Sequence, residues 1–147
     1  MELIDIEHDG SAQRAIENLP AMAREAMSAT AALYRVTGAQ PPWIGYLAVE
    51  AGECVGTCAF KSAPAAGRVE IAYFTFPGNE GRGVASRMAG ALIEVARRGA
   101  PGIRVFAQTL PEPNASTRVL EKHGFQWIGE IDHPEDGKIW EWELPAR

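Results

Sequence analysis

The sequence predicts an α/β (α+β) fold in which helices pack on a mixed sheet. Short runs rich in β-branched and aromatic residues recur along the chain, at residues 43–49, 54–60, 68–76 and 103–108. One helix is indicated by apolar residues at three- and four-residue spacing, namely Val84, Met88, Leu92 and Val95. Strands therefore stand before and after single helices, and the 147 residues are expected to form one domain.

The first segment is predicted to be a short strand followed by a helix. Residues 3–6 are an apolar run that ends before Asp9. Ser11 is a residue type favoured at helix N-caps, so a helix is expected over residues 12–18. Pro20 interrupts that helix.

A second helix and a hairpin are expected next. The helix is predicted over residues 21–36, and Gly38 is suited to closing it. The strands at 43–49 and 54–60 are close enough in sequence to pair as a hairpin through residues 50–53.

The second half of the chain is predicted to contain two helices and three strands. The apolar face described above indicates a helix over residues 82–98, and the strand at 103–108 follows it. A loop at residues 111–113 precedes the second helix. Residues 125–131 and 139–144 alternate in polarity and are expected to close the sheet as an antiparallel pair.

A glycine-rich turn joins the strand at 68–76 to its helix. Gly81 and Gly83, followed by the small Ala85 and Ser86, leave no bulky side chain over the backbone at the helix start. The free amides of a first helical turn bind anions, and the helix dipole favours them, so a phosphate or pyrophosphate is the expected ligand. The turn lacks the lysine of a nucleotide-triphosphatase loop, and Ser86 stands where a dinucleotide fingerprint has its third glycine.

Composition and charge exclude other classes of protein. The net charge is −5 and no cluster of Lys and Arg occurs, so nucleic acid is not an expected partner. No apolar run approaches the ~20 residues of a membrane span, so no membrane partner is expected either. The N-terminal residues have neither the basic region nor the apolar core of a secretory signal, and a cytoplasmic location is expected.

No metal site is predicted. The histidines are scattered, and His123, beside Gly124, is expected to stabilise the C-terminus of its helix. Cys54 and Cys58 lack the spacing of a metal pair or a redox dithiol. On one extended strand their α-carbons would be roughly 13 Å apart, too far for a disulfide, so reduced and packed thiols are expected.

Two stretches resemble the motifs of the GNAT (GCN5-related) superfamily of N-acetyltransferases. The turn Glu80-Gly81-Arg82-Gly83-Val84-Ala85 resembles the acetyl-coenzyme A signature Gln/Arg-x-x-Gly-x-Gly/Ala, with Glu80 in the place of Gln or Arg. The segment from Asn114 to Phe125 is similar to the family's Asn-x-x-Ser helix, which runs through Leu-Glu-Lys to Gly-Phe. The resemblance covers roughly residues 45–130.

The resemblance implies a twisted, mixed and mostly antiparallel sheet of about six to seven strands flanked by about four helices. It also implies an N-acetyltransferase that uses acetyl-CoA as co-substrate and transfers the acetyl group directly in a ternary complex. In the family, the signature strand and the strand after its helix splay apart, and the pantetheine arm fills the gap. The residues expected to bind the coenzyme are Phe74, Thr75, Phe76, Glu80, Gly81, Arg82, Gly83, Val84, Ala85, Ser86 and Asn114.

Acetyl transfer to an ammonium group needs a base, a stabiliser for the thioester oxygen and a proton for the leaving thiolate. The resemblance makes Glu70 the candidate base; the alternative is a structural glutamate paired with an arginine such as Arg68 or Arg104. Ser116 or Tyr73 is the candidate proton donor, and Ser116 is alternatively a helix cap.

The motifs do not identify the acceptor substrate. A small amine, an amino-acid derivative and a protein N-terminus are all compatible with the motifs. Tyr34 and Trp43 are candidates for acceptor contact, the alternative being that they pack a helical lid against the sheet. Trp140 and Trp142 belong to the core or to a possible homodimer surface. A second hypothesis for function is a coenzyme A-binding module that senses or scaffolds without turnover.

Overall fold

The computed structural model describes residues 1–146. Its seven strands and three helices follow one another along the chain as β1 (Glu2–Asp5), α1 (Ala21–Thr37), β2 (Gly45–Glu50), β3 (Glu53–Phe60), β4 (Arg68–Thr75), α2 (Val84–Gly99), β5 (Arg104–Thr109), α3 (Ala115–Lys122), β6 (Gln126–His133) and β7 (Gly137–Leu144).

The strands form one sheet with the order β1-β2-β3-β4-β5-β7-β6. All neighbouring pairs are antiparallel except β4 and β5, which are parallel because α2 connects them as a crossover. The predicted mixed, mostly antiparallel sheet is confirmed. The hairpin of β2 with β3 and the closing pair of β6 with β7 are confirmed as well.

Helices α1 and α2 lie on opposite faces of this sheet. A Cβ added to Gly45 would lie 3.1 Å from Thr30 of α1, whereas one added to Gly56 would lie 3.0 Å from Met88 of α2. Gly45 pairs with Ala59 and therefore faces the same side of the sheet as Ala59. Gly56 lies three residues before Ala59 on β3, so it faces the opposite side. The largest fully buried side chains lie beneath both helices, among them Ile4, Ile6, Leu47, Ile71, Met88 and Leu92.

The predicted helix over residues 12–18 is wrong. Ala12 instead forms an isolated bridge with Ile6, and the amide of Gln13 donates to the Asp5 carbonyl at 2.9 Å. The Ser11 hydroxyl donates to Asp9 at 2.6 Å and so belongs to a turn rather than to an N-cap. Seven residues are too few for a helix that is stable on its own, and the Gln13 amide bonds to β1 instead. The structure therefore has three helices rather than about four.

Two predictions about packing have clear outcomes. Tyr34 packs helix α1 against the sheet, because its hydroxyl donates to the Ile6 carbonyl at 3.1 Å and accepts from the Gly45 amide at 2.8 Å. Cys54 and Cys58 are free and buried, as expected, and burial raises the pKa of the Cys58 thiol to about 12. No helix within residues 1–146 is both long and apolar enough to cross a membrane.

Candidate active site

The two parallel strands separate halfway along their length. Pairing between β4 and β5 extends only from Arg68 with Arg104 to Glu70 with Phe106. Both strands continue beyond this point, to Thr75 and Thr109 respectively. A gap therefore opens after Glu70, and the expected splay of the two strands is present.

Backbone groups of β4 face this gap. On its other side β4 bonds to β3, where the Lys61 amide donates to the Glu70 carbonyl and the Phe76 amide donates to the Val55 carbonyl. Because hydrogen-bonded pairs alternate along an antiparallel ladder, Ala72 and Phe74 also bond to β3. The backbone groups of residues 71, 73 and 75 then point into the gap and lack a strand partner there.

The start of α2 lies next to the gap and is open to an anion. Gly83 is the N-cap residue, with φ of 75°, and no side chain caps the helix. The first bond within the helix runs from the Arg87 amide to the Gly83 carbonyl at 3.0 Å, so the amides of residues 83–86 precede it. Gly81 also has φ of 75°, a backbone conformation that favours glycine.

One cavity of about 370 Å³ connects these two features. Its lining comes from the end of β4, the glycine turn, the first turn of α2 and the exposed face of α3: Tyr73, Phe74, Thr75, Asn79, Glu80, Gly81, Gly83, Val84, Ala85, Ser86, Ala115, Ser116 and Val119. The cavity therefore joins an unpaired strand edge, which can hold an amide-containing chain, to a helix start that can hold a pyrophosphate.

The glycine turn is held by its own polar side chains. Arg82 donates to the side-chain oxygen of Asn79 and, at 3.3 Å, to the Gly78 carbonyl. The Glu80 carboxylate accepts from the Asn79 amide at 3.1 Å. One oxygen of the Glu80 carboxylate is thus held by the turn, although Glu80 still lines the cavity.

Tyr73 and Ser116 meet at the wall of the cavity. The Tyr73 hydroxyl lies 3.2 Å from the Ser116 hydroxyl, and it also donates to the Ser116 carbonyl at 3.3 Å. Burial raises the pKa of Tyr73, so its hydroxyl keeps its proton at neutral pH. Both candidate proton donors are therefore brought together by packing of α3 against the end of β4.

The alternative prediction, that Ser116 caps α3, is wrong. Asn114 is the N-cap residue, and its side-chain oxygen accepts from the Thr117 amide at 2.9 Å. The Thr117 hydroxyl in turn accepts from the Asn114 amide at 2.9 Å, which completes a capping box. Asn114 lies outside the cavity lining, and so does the buried Phe76.

Glu70 lies where the gap opens and is paired with a residue that the sequence did not indicate. Its side chain is 14% exposed, and its Oε2 atom lies 3.1 Å from Lys61 Nζ. The expected alternative partner Arg68 binds Glu141 at 3.0 Å and Glu143 at 2.9 Å instead. The guanidinium of Arg68 also stacks 4.0 Å above the ring of Phe106.

His123 links α3 to the first turn of α2. Its Nε2 atom lies 2.8 Å from the Ser86 carbonyl and 3.1 Å from the Ser86 hydroxyl, so the tautomer with a proton on Nε2 donates to the carbonyl. The expectation for His123 was a local role at the end of α3. The contact with Ser86 connects it to the cavity wall as well.

Sequence reasoning missed three cavity-lining residues and one neighbour of Glu70. Val119 lies three residues after Ser116, so helical spacing is a signal that could have found it. Asn79 and Ala115 adjoin predicted residues. Lys61 had no signal, because its proximity to Glu70 depends on the pairing of β3 with β4.

Comparisons with known proteins agree with this geometry. The family model of the acetyltransferase (GNAT) domain matches residues 5–126. The chain thus belongs to the GNAT family of acetyltransferases. No curated protein sequence matches the chain at a significant level.

Solved structures share the fold at low sequence identity. The acetyltransferase from Salmonella typhimurium that modifies the N-terminal serine of the 50S ribosomal subunit protein L7/L12 is 17% identical, with a TM-score of 0.67 over 86% of this chain and 74% of that one. The ribosomal L7/L12 alpha-N-protein acetyltransferase RimL in complex with coenzyme A is 17% identical, with a TM-score of 0.67 over 85% and 72%. A GNAT-family acetyltransferase from Bacillus anthracis is 20% identical, with a TM-score of 0.63 over 84% and 72%.

The part of the chain that the structure describes contains no group of three or more His, Cys, Asp or Glu residues arranged to hold a metal ion.

Proposed function

We propose that this protein transfers the acetyl group of acetyl-CoA to a primary amine, by direct transfer while both substrates are bound. The observation that carries the proposal is the continuity of the cavity, which runs from the strand gap to the uncapped start of α2. A phosphate-binding helix start alone would fit many ligands. An unpaired strand edge beside it fits a ligand that carries both a pyrophosphate and an amide-containing arm.

The coenzyme would be held mainly by backbone groups. The amides of residues 83–86 are the donors for its pyrophosphate, and the edge of β4 at residues 71–75 is the partner for its pantetheine arm. Ala115, Ser116 and Val119 form the opposite wall. Acetyl-CoA supplies the activated acetyl thioester, and a β4 amide that faces the gap is placed to donate to the thioester oxygen.

Glu70 is the base that we propose for the acceptor. It lies at the last paired position before the gap, and its Oε2 atom is buried and accepts no hydrogen bond from the described residues. A carboxylate in this setting can take a proton from an ammonium group that approaches the gap. Tyr73 or Ser116, on the other side of the strand, is the group that we propose to protonate the leaving thiolate.

The acceptor that we propose is a small amine or a protein N-terminus. The support for the second is that the Salmonella typhimurium relative modifies the N-terminal serine of a ribosomal protein. The net charge of −5 favours a cationic acceptor in general. A cytoplasmic location would fit either substrate.

Titration calorimetry of the purified protein with acetyl-CoA, coenzyme A and ATP tests the proposal first. We expect saturable binding of acetyl-CoA and coenzyme A. Ala115→Trp should abolish it, because Ala115 is an exposed residue of α3 that lines the cavity and its replacement would fill that space. Leu110→Trp is the matched control, since Leu110 is 60% exposed and does not line the cavity. Absence of binding at millimolar acetyl-CoA would contradict the proposal.

A coenzyme A-binding module without turnover is the second candidate. The observation that favours it is the contact of Lys61 Nζ with Glu70 Oε2 at 3.1 Å, which places a cation of the chain itself against the proposed base. A screen of peptide N-termini and small amines, read out as release of free coenzyme A thiol, distinguishes the two. Release that requires an amine supports the enzyme, and binding without any release supports the module.

A further inference from the structure

We propose that Lys61 is itself a substrate, and that the protein acetylates its Nζ atom at the same site. This inference rests on the proposed function. It begins from the carboxylate of Glu70, whose Oε2 atom lies 3.1 Å from a primary amine of the chain. The amine of Lys61 thereby lies within reach of the proposed base, as an acceptor amine must before transfer.

The backbone places Lys61 beside Glu70, on the β3 side of β4. Lys61 follows the last residue of β3, and its amide donates to the Glu70 carbonyl at 3.0 Å. Residues that are paired in this way carry their side chains on the same face of the sheet. Glu70 is also the last residue of β4 that pairs with β5, so the Lys61 amine lies 3.1 Å from a carboxylate at the point where those strands begin to separate. Lys61 itself lines a second cavity, next to Trp43 and Phe60.

The contact between Lys61 and Glu70 is not a fully formed structural ion pair. Lys61 Nζ and Glu70 Oε2 lie within hydrogen-bond distance of each other. Oε2 is nevertheless buried and accepts no hydrogen bond from the described residues, because the orientation of the two groups is unsuitable for a hydrogen bond. The Lys61 side chain is 50% exposed. A buried carboxylate oxygen with an unused acceptor position is a feature that catalytic groups show.

Arg68 shows what a structural ion pair looks like on the same face. It donates to Glu143 through Nε at 2.9 Å and to Glu141 through a terminal nitrogen at 3.0 Å, and its guanidinium covers the ring of Phe106. This network satisfies both carboxylates and is immobilised by stacking. Among the described residues Lys61 forms no second ion pair and no cation–π contact, so its side chain remains free to turn from Glu70 toward the gap.

The chemistry balances without a further reactant. Glu70 accepts one proton from the Lys61 ammonium, and the nitrogen lone pair forms a bond to the acetyl carbonyl carbon. The carbon–sulfur bond breaks, and coenzyme A leaves with the sulfur electron pair. The second proton of the nitrogen passes to the thiolate, while Glu70 returns its proton to solvent. The products are Nε-acetyl-Lys61, free coenzyme A and one proton.

The chain offers a clean experiment, because its lysines are only Lys61, Lys122 and Lys138. The full-length protein is incubated with isotope-labelled acetyl-CoA, and peptide mass spectrometry locates the label. Lys138 is the matched control, since its Nζ atom lies 4.0 Å from the Glu130 carboxylate and its side chain is 69% exposed. It is thus another lysine paired with a glutamate, but on the hairpin of β6 and β7.

We expect the labelling rate at Lys61 to exceed that at Lys138 on the order of 100-fold, as general-base catalysis by Glu70 would give. The rate should not depend on protein concentration, because donor site and acceptor amine are in one molecule. Glu70→Gln and Ala115→Trp should lower labelling at Lys61 to the level of Lys138. Lys61→Arg should remove it, and Lys138→Arg should leave it unchanged.

Two results would overturn the inference, and they differ from failure of the proposed function. Equal labelling of the three lysines would show only chemical acetylation by the thioester. Binding of acetyl-CoA by calorimetry with no label at Lys61 would remove this inference and leave the transferase proposal standing. Absence of acetyl-CoA binding would remove both.

Discussion

At the scale of single residues, β4 places the candidate base and the candidate proton donors on opposite faces of the sheet. Glu70 is an even-numbered residue of the strand and meets Lys61, whereas Tyr73 is odd-numbered and reaches Ser116 of α3. Alternation along a strand requires this division. Since β5 has separated from β4 beyond Glu70, a thioester in the gap could be approached from both faces at once.

Glu70→Gln is expected to lower the rate of acetyl transfer on the order of 100-fold or more, because the amide cannot accept the proton of the acceptor. The affinity for acetyl-CoA, measured by calorimetry, should not change. Glu130→Gln is the control, because Glu130 is 44% exposed and lies on edge strand β6. A Glu70→Gln protein with the parent's rate would assign Glu70 a structural role.

Tyr73→Phe and Ser116→Ala decide which hydroxyl donates to the thiolate. The pKa of Tyr73 is raised above 10.0 by burial, against the lowering effect of its bond to Ser116. If Tyr73 is the donor, kcat of the parent should not fall as the pH rises from 7 toward 10. Tyr73→Phe should then lower kcat roughly 10-fold or more, and Ser116→Ala should not. The opposite pattern would make Ser116 the donor.

At the scale of elements, two helix starts of different kinds line the cavity. The start of α2 follows a glycine in the left-handed conformation and has no side-chain cap, which leaves its amides for a ligand. The start of α3 is closed by Asn114 and Thr117, which satisfy each other's donors. The helix start that we propose to bind the coenzyme is therefore uncapped, and the helix start on the opposite wall is capped.

Asn114→Ala is expected to lower the free energy of unfolding by about 1 kcal/mol, because it removes the oxygen that accepts from the Thr117 amide. Urea denaturation measures this change. Asn114→Ser keeps a capping hydroxyl and should restore most of the stability. If Asn114 also binds the coenzyme, as the family resemblance implies, Asn114→Ser should regain stability but not affinity for coenzyme A.

At the scale of the whole molecule, the three tyrosines of the chain make the free energy of unfolding depend on pH in the alkaline range. Burial raises the pKa of Tyr34, Tyr46 and Tyr73 above 10.0 in the folded protein. Unfolded tyrosines lose their protons near pH 10, so above that pH the unfolded chain binds fewer protons than the folded one. Their contribution to stability is therefore complete below pH 10 and is lost as the pH rises through the folded pKa values.

The free energy of unfolding is thus expected to fall steadily above about pH 10, with no loss between pH 7 and 9 from these groups. Denaturant titrations at several pH values measure it, and tyrosinate absorbance gives the folded titration. Tyr73→Phe should make the alkaline loss shallower. A tyrosinate titration centred at pH 10 in the folded protein would contradict the burial argument.

Local patterns were sufficient for most of the secondary structure, as two segments illustrate. The helix predicted over residues 21–36 is observed over Ala21–Thr37, because local signals mark both of its ends, Pro20 before it and Gly38 after it. The helix predicted over residues 12–18 does not form; Ala12 bridges to Ile6 and the Gln13 amide bonds to Asp5 of β1 instead. Only the tertiary structure brings β1 to that segment.

The sequence by itself determined the family, the order of strands and helices apart from residues 12–18, and the glycine turn at the start of α2, because each depends on residues adjacent in the chain. The tertiary structure alone decided the pairing of Glu70 with Lys61, the contact of Tyr73 with Ser116 and the point where β4 and β5 separate. These depend on strand register and on packing of α3, which bring together residues far apart in the chain. Propensity and periodicity report only on near neighbours, so they carry no information on such contacts.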